Sequence, residues 1–182
     1  CLGEGEESFP NLIKFIKGEK DYNLLKNITY KKNSNIIEGS LAIVEDTTKI
    51  PKICKSIVDE YDGKIVYIET VRGCPYNCSY CLSSVDKKLR FRDWELVKKE
   101  LAFFIEKEVP QVKFVDRTFN CKHDHAMGIW KYITEHDNGV TNFHFEISAD
   151  LLNEEELQVI GQMRPGLIQL EIGVQSTNEA TI

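Results

Sequence analysis

The sequence predicts an α/β fold, a parallel sheet that starts to close into a barrel and is truncated after about four strands. A short helix and hairpin linker region precedes it. Three observations carry this reading. From Lys64 onward, strand-like and helix-like runs alternate in the order βαβαβαβ, the pattern of parallel strands joined by right-handed helical crossovers. The last strand, residues 167–174, places Ile168, Leu170, Ile172 and Val174 on one face and Gln169, Glu171, Gly173 and Gln175 on the other. A sheet covered by helices on both faces would instead read as one apolar run, so the polar face is expected to line a cavity. Finally, three cysteines fall within eight residues directly after the first strand, at the end of the sheet where βα barrels build their sites.

The N-terminal part is less regular. Ser8 is expected to cap a short helix with Pro10 in its first turn, Leu12, Phe15 and Ile16 as its apolar side and Gly18 as its stop. Ile28-Thr-Tyr30 and Ile36-Ile37 read as a hairpin joined by Lys-Lys-Asn-Ser-Asn. From Gly39 to about Lys52 no period survives, and this stretch reads as linker. Residues 51–61 read as a short helix with Cys54 on its apolar side, a structural cysteine. The domains are therefore 1–63, the leader and linker, and 64–182, the sheet.

The second part is regular. Residues 65–70 form the first strand. Asp93 caps a helix carrying Trp94, Val97, Leu101, Phe104 and Ile105, and Pro110 ends that region. Residues 112–116 form the second strand. A helix over 124–136 places Ala126, Ile129, Trp130 and Ile133 on one face and stops at Asn138-Gly139. Residues 142–148 alternate Phe143, Phe145 and Ile147 against His144, Glu146 and Ser148. Asn153 with Glu156 makes a capping-box start for a helix carrying Leu157, Ile160 and Met163, which Pro165-Gly166 breaks.

Composition narrows the function. The 182 residues are 42% hydrophobic and 29% charged, enough to bury a core. No apolar run approaches a membrane span, and no basic-then-apolar leader opens the chain. Six cysteines, half of them in one loop, suit a reducing cytoplasmic setting better than a secreted disulfide scaffold. A net charge of −6 gives no electrostatic reason to expect a nucleic-acid backbone as partner.

The chemistry lies in Gly73-Cys74-Pro75-Tyr-Asn-Cys78-Ser-Tyr80-Cys81, spaced C-x3-C-x2-C. Pro75 holds Cys74 in an extended conformation, so the loop is not helical. Three thiols on one tight loop suit a polynuclear metal centre better than disulfides. A structural zinc site needs a fourth ligand from elsewhere, whereas an iron–sulfur cluster on three cysteines keeps one iron open. The plainer alternative is three ordinary loop cysteines. Cys121, His123 and His125 suggest a second metal site, but their period-two spacing scatters them around a helix start, which favours a solvated terminus. Glu146 and Glu171 read either as ligand contacts or as members of a salt-bridge network with Lys113 or Arg117.

This loop, with the aromatic Tyr80 before its last cysteine, resembles the signature of the radical S-adenosylmethionine enzymes, and residues 64–182 resemble the first part of their partial (β/α)6 barrel. The resemblance implies a [4Fe–4S] cluster on Cys74, Cys78 and Cys81 whose open iron binds S-adenosylmethionine. It implies a Tyr80 backbone contact to adenine, Asp116 or its turn holding the methionyl amine, and Glu171 or Gln175 reaching the ribose hydroxyls, with Glu146 a further cofactor-binding candidate. Two departures from the family pattern stand out. Asp116-Arg-Thr-Phe-Asn120 replaces the usual Gly-Gly-Glu turn, and the last two βα units are absent. Gly3-Glu-Gly-Glu-Glu-Ser-Phe9 resembles the exit of a cobalamin-binding domain, although the usual cobalamin-ligating D-x-H-x-x-G is missing and His125-Ala-Met-Gly128 matches it only in part.

The chain is thus expected to be a fragment of a cobalamin-domain-type radical enzyme, loosely an Fe–S oxidoreductase. It should be inactive alone and prone to self-association through its open edge. The implied partners are an unknown substrate and an external electron donor of flavodoxin or ferredoxin type, with cobalamin in the full-length parent. The rival reading is a non-catalytic metal module, either zinc-stabilised or an electron-transfer Fe–S protein.

Overall fold

The computed structural model describes residues 3–19, 25–50 and 63–180. Two compact units are present, Cys1–Ile50 and Pro51–Ile182. The expected helix over 51–61, Cys54 and Cys1 lie outside the described residues, as does the stretch that separates this division from a boundary at 63.

In the first unit, α1 spans Ser8–Ile16. Ser8 is not its cap. Glu7 holds that position, and the buried Ser8 hydroxyl donates to the Glu4 carbonyl at 3.0 Å. The hairpin is longer than expected, with β1 (Thr29–Lys32) paired antiparallel to β2 (Asn35–Glu38) through a two-residue turn. Asn33 and Ser34 both have positive φ, 49° and 69°, the conformation that matches strand twist in tight hairpins. The stretch after Gly39 is not a plain linker. The Asn27 side chain accepts from Ala42 N at 2.6 Å and donates to Ala42 O at 2.7 Å, and Asp46 caps a 3-10 turn at Thr47–Lys49. A side chain here supplies the pairing that a strand would otherwise supply, so no period marks it in the sequence.

The second unit is an α/β fold on a four-stranded parallel sheet. Its strands are β3 (Val66–Ile68), β6 (Gln111–Phe114), β7 (Asn142–Ile147) and β8 (Ile168–Ile172), in that spatial order. It is consistent with part of a barrel. The helices are α2 (Trp94–Glu106), α3 (His123–Glu135) and α4 (Glu154–Gln162). Val97, Leu101 and Phe104 of α2 and Ala126, Ile129, Trp130 and Ile133 of α3 are buried, in one core with Val112, Phe114, Phe143 and Phe145 of the sheet. The opposite sheet face carries Lys113, His144, Glu146, Gln169 and Glu171, the side expected to be polar. Leu157 departs from its expected place, at 48% exposed, while Val159, Ile160 and Met163 pack on the core.

Both caps expected in the second unit form. Asp93 accepts from Leu96 N at 3.1 Å, and Asn153 and Glu156 close a reciprocal capping box at 3.0 and 3.1 Å. Each cap is worth about 1 kcal/mol. The expected first strand is interrupted. After β3 the chain turns at Glu69-Thr70 into β4 (Val71–Arg72), which pairs antiparallel with β5 (Arg90–Phe91). That small pair closes the neck of the cysteine loop.

Candidate metal centre

The neck of the loop is built so that Cys74 can only sit in one place. Gly73 has φ +96°, and a Cβ on it would lie 2.4 Å from the Lys88 carbonyl oxygen and 3.2 Å from that of Asp86. Only glycine meets both demands. Cys74 N then donates to Asp86 O at 2.9 Å, and Cys81 N to Cys78 O at 3.1 Å. Below the neck, the Arg92 guanidinium donates to both carboxylate oxygens of buried Glu100, at 2.8 and 3.2 Å, and to the Glu69 carbonyl at 3.1 Å. This pair ties α2 to the exit of β3.

Cys74 is buried, Cys81 half-buried and Cys78 exposed, and none of the three is in a disulfide. They line one cavity of about 340 Å³ together with Tyr76, Tyr80, Ser83, Arg117, Thr118, Glu146, Ser148, Glu171 and Gln175. Among the described residues, no three His, Cys, Asp or Glu side chains are gathered for a single metal ion. A polynuclear cluster spaces its ligands further apart than one ion does. Three thiols lining one cavity have the donor chemistry and the room for it.

Of the expected cofactor contacts, Tyr80, Glu146, Glu171 and Gln175 reach this cavity. Asp116 does not. Its carboxylate is fully buried, accepts from Thr70 N at 2.7 Å and Val71 N at 3.1 Å, and is hydrogen-bonded to the Thr70 hydroxyl. It braces the entry to the cysteine loop from behind instead of offering its side chain to a ligand. The signal was present in the sequence, since alternation along 112–116 places Asp116 with Val112 and Phe114 on the core side. Sequence reasoning missed Thr118, which lines the cavity from irregular backbone where no period guides a reading, put Ser148 on the polar face without giving it a role, and saw Arg117 only as an ion-pair partner.

Glu146 and Glu171 form the expected network. Lys113 Nζ lies 3.3 Å from Glu146 and 3.1 Å from Glu171. Its hydrogen bond to Glu171 raises the lysine's pKa and lowers that of the carboxylate. His144 Nε2 stands 3.1 Å from Glu171 without the alignment of a hydrogen bond. Arg117 is not part of this network among the described residues.

Cys121, His123 and His125 diverge, as expected; His123 stays partly exposed, while Cys121 and His125 turn inward. His123 pairs with the buried Glu156 at 3.1 Å, which raises its pKa. Burial pushes the half-buried Cys121 thiol up to about 11. His125 packs against Phe91 and Phe119, and its Nε2 lies 2.9 Å from the Thr70 hydroxyl. Burial there lowers its pKa to about 4.

Asp116, Thr70 and His125 thus form a buried chain whose titration should be measurable. Burial pushes Asp116 from 3.8 up to about 7, against the pull of the Thr70 and Val71 hydrogen bonds. Between those values the unfolded chain has lost a proton that the native chain keeps, so stability falls as pH rises. His125 does the reverse. Between about 4 and 6.5 the unfolded chain holds a proton that the native one lacks, so stability rises with pH. Asp116→Asn should remove the first slope and unmask the second, changing the dependence by up to about 1.4 kcal/mol per pH unit. Urea midpoints at pH 5 and 6.5 check this, and identical slopes in the two proteins would contradict it.

Residues 68–182 match the family described as the Radical SAM superfamily. The chain is 28% identical over 136 residues to an uncharacterized methyltransferase of Pyrococcus horikoshii, covering 70% of this chain and 30% of that protein. It is 24% identical over 194 residues to the anaerobic magnesium-protoporphyrin IX monomethyl ester cyclase of Synechocystis sp., covering 99% of this chain and 38% of that one. Among solved structures, the cobalamin-dependent S-adenosylmethionine radical enzyme OxsB superposes with a TM-score of 0.78 at 20% identity, over 98% of this chain and 28% of that chain. The radical S-adenosylmethionine methyltransferase TsrM from Kitasatospora setae superposes with a TM-score of 0.74 at 15% identity, over 99% of this chain and 38% of that chain. These structures speak to the fold.

Proposed function

Because this chain belongs to the Radical SAM superfamily, we propose that it forms the cluster end of an enzyme that cleaves S-adenosylmethionine reductively and passes the resulting radical to a substrate. The observation that carries the reading is the convergence of Cys74, Cys78 and Cys81 on one cavity with Glu146, Glu171 and Gln175. A [4Fe–4S] cluster on the three thiolates supplies, when bound and reduced, the electron that yields methionine and a 5′-deoxyadenosyl radical able to abstract hydrogen.

The chain's own residues bind and orient. The three cysteines would hold the cluster, which with three protein ligands would keep one iron open to S-adenosylmethionine. Lys113 keeps Glu171 ionised and accepting, so Glu171 suits a ribose hydroxyl, with Gln175 beside it on the cavity wall. Tyr80 offers backbone to the adenine. Asp116 serves through the loop it braces, which leaves the ammonium to a backbone carbonyl of the turn that follows.

An external donor of flavodoxin or ferredoxin type fits the need for low-potential electrons. The methyltransferases among its relatives support methyl transfer, with cobalamin, as the outcome in a longer protein. His125, the near match to a cobalamin-ligating histidine, is turned into the core and does not serve that purpose. Among the described residues no helix is long and apolar enough to cross a membrane.

The test is anaerobic reduction with dithionite in the presence of S-adenosylmethionine, followed by chromatography. Release of 5′-deoxyadenosine is expected from a longer protein that carries this chain within a complete barrel, and it should fall about tenfold or more in Glu171→Ala under subsaturating S-adenosylmethionine, since a hydrogen bond to a charged group is worth about 1.5–3 kcal/mol. Equal release from the variant would remove Glu171 from the binding site.

A further inference from the structure

We infer that the Thr118 hydroxyl donates a hydrogen bond to the Cys74 sulfur of the bound cluster and raises the cluster's reduction potential; this rests on the cluster reading above. Thr118 is 8% exposed and lines the cavity of the three cysteines. Its Oγ1 lies 3.6 Å from Cys74 Sγ. In the free thiol either atom can donate. A thiolate bound to iron has no proton, so there the hydroxyl must be the donor. Among the described residues the hydroxyl has no other hydrogen-bond partner to divert it.

The segment around Thr118 keeps it in place. Two residues before it, Asp116 is locked to Thr70 and Val71. Phe119 is fully buried among Phe114, Trp130 and Phe145. Two residues after it, Asn120 is clasped to Ser148 by two bonds, one in each direction, both 2.9 Å. Cys121 N closes the turn on the Thr118 carbonyl at 3.1 Å. The turn that stands where the family carries Gly-Gly-Glu therefore joins the exits of β3, β6 and β7 and aims one hydroxyl at one cluster ligand. Hydrogen bonds to ligand sulfurs favour the more negatively charged reduced form, which raises the potential.

The experiment compares Thr118→Val, which keeps the shape and loses the hydroxyl, with Thr118→Ser, which keeps the hydroxyl. Each reconstituted chain is titrated anaerobically and followed by electron paramagnetic resonance. The valine variant should keep its iron and shift to a more negative midpoint, while the serine variant stays at the wild-type value. Equal midpoints in wild type and valine variant, or equal shifts in both variants, would overturn the inference. If the valine variant loses its cluster, resonance Raman of the wild type decides. Exchange into D2O should shift the iron–cysteine stretch, and an unshifted band would overturn it. A wild-type chain that takes up no cluster overturns this inference and the reading beneath it together, whereas an intact cluster with unchanged midpoints overturns this one alone.

Discussion

Alanine at Cys74, Cys78 or Cys81 is expected to abolish the iron–sulfur cluster, while alanine at Cys121 leaves it in place. With three protein ligands and one open iron, no further cysteine among the described residues lines the cavity to replace a lost one. Cys74 is the most constrained of the three, because Gly73 and the Cys74–Asp86 hydrogen bond fix its backbone. Cys121 is a different kind of cysteine. It is half-buried outside the cavity lining, and burial holds its thiol protonated well past neutral pH. Iron and sulfide analysis with the visible spectrum after anaerobic reconstitution reads all four variants. Cluster retention in Cys78→Ala, or loss in Cys121→Ala, would overturn the ligand assignment.

Arg92→Ala should destabilise the second unit by about 3–5 kcal/mol, the usual cost of breaking a buried ion pair by removing one partner. The side chains of Arg92 and Glu100 are 4% and 3% exposed, and the pair is bidentate. Removal of the guanidinium takes two charged hydrogen bonds from a buried carboxylate and one from the Glu69 carbonyl at the exit of β3. Against a typical total stability of about 5–15 kcal/mol, that is enough to loosen the loop's neck at ordinary temperature. Lysine will not rescue it, because a point charge cannot span both carboxylate oxygens. Replacing both partners with apolar residues, Arg92→Met with Glu100→Leu, should recover most of the loss. Urea unfolding measures each step. An Arg92→Ala midpoint equal to wild type would show that the pair is no anchor.

The parts of the fold that were legible in the sequence are those where a period or a cap repeats over several residues. Val97, Leu101 and Phe104, or Ile129, Trp130 and Ile133, announce a buried helical face because a helix places them on one stripe. Asn153 and Glu156 announce a helix start because each satisfies the other's backbone. The pairing of β4 with β5 was not legible, since two residues per strand carry no periodicity. Nor was the folding of the stretch after Gly39 onto Asn27, which depends on one side chain imitating a strand.

At the site, the cysteines and the polar face of β8 were readable from spacing and alternation. The direction of Asp116 was misjudged, although the same alternation pointed it inward. Position at the end of a strand suggested a ligand contact, and burial on the core face prevailed. Thr118 was out of reach, because what makes it matter is a distance across 44 residues of chain.

The most direct test of the central claim is the electron paramagnetic resonance spectrum of the dithionite-reduced chain before and after addition of S-adenosylmethionine. If Cys74, Cys78 and Cys81 hold a [4Fe–4S] cluster with one iron open into the cavity, the spectrum should change as the amine and carboxylate take that iron. Asp116→Asn should leave the change intact, because the Asp116 side chain faces away from the cavity. A colourless chain holding stoichiometric zinc, or an intact reduced cluster whose spectrum ignores S-adenosylmethionine, would contradict the account.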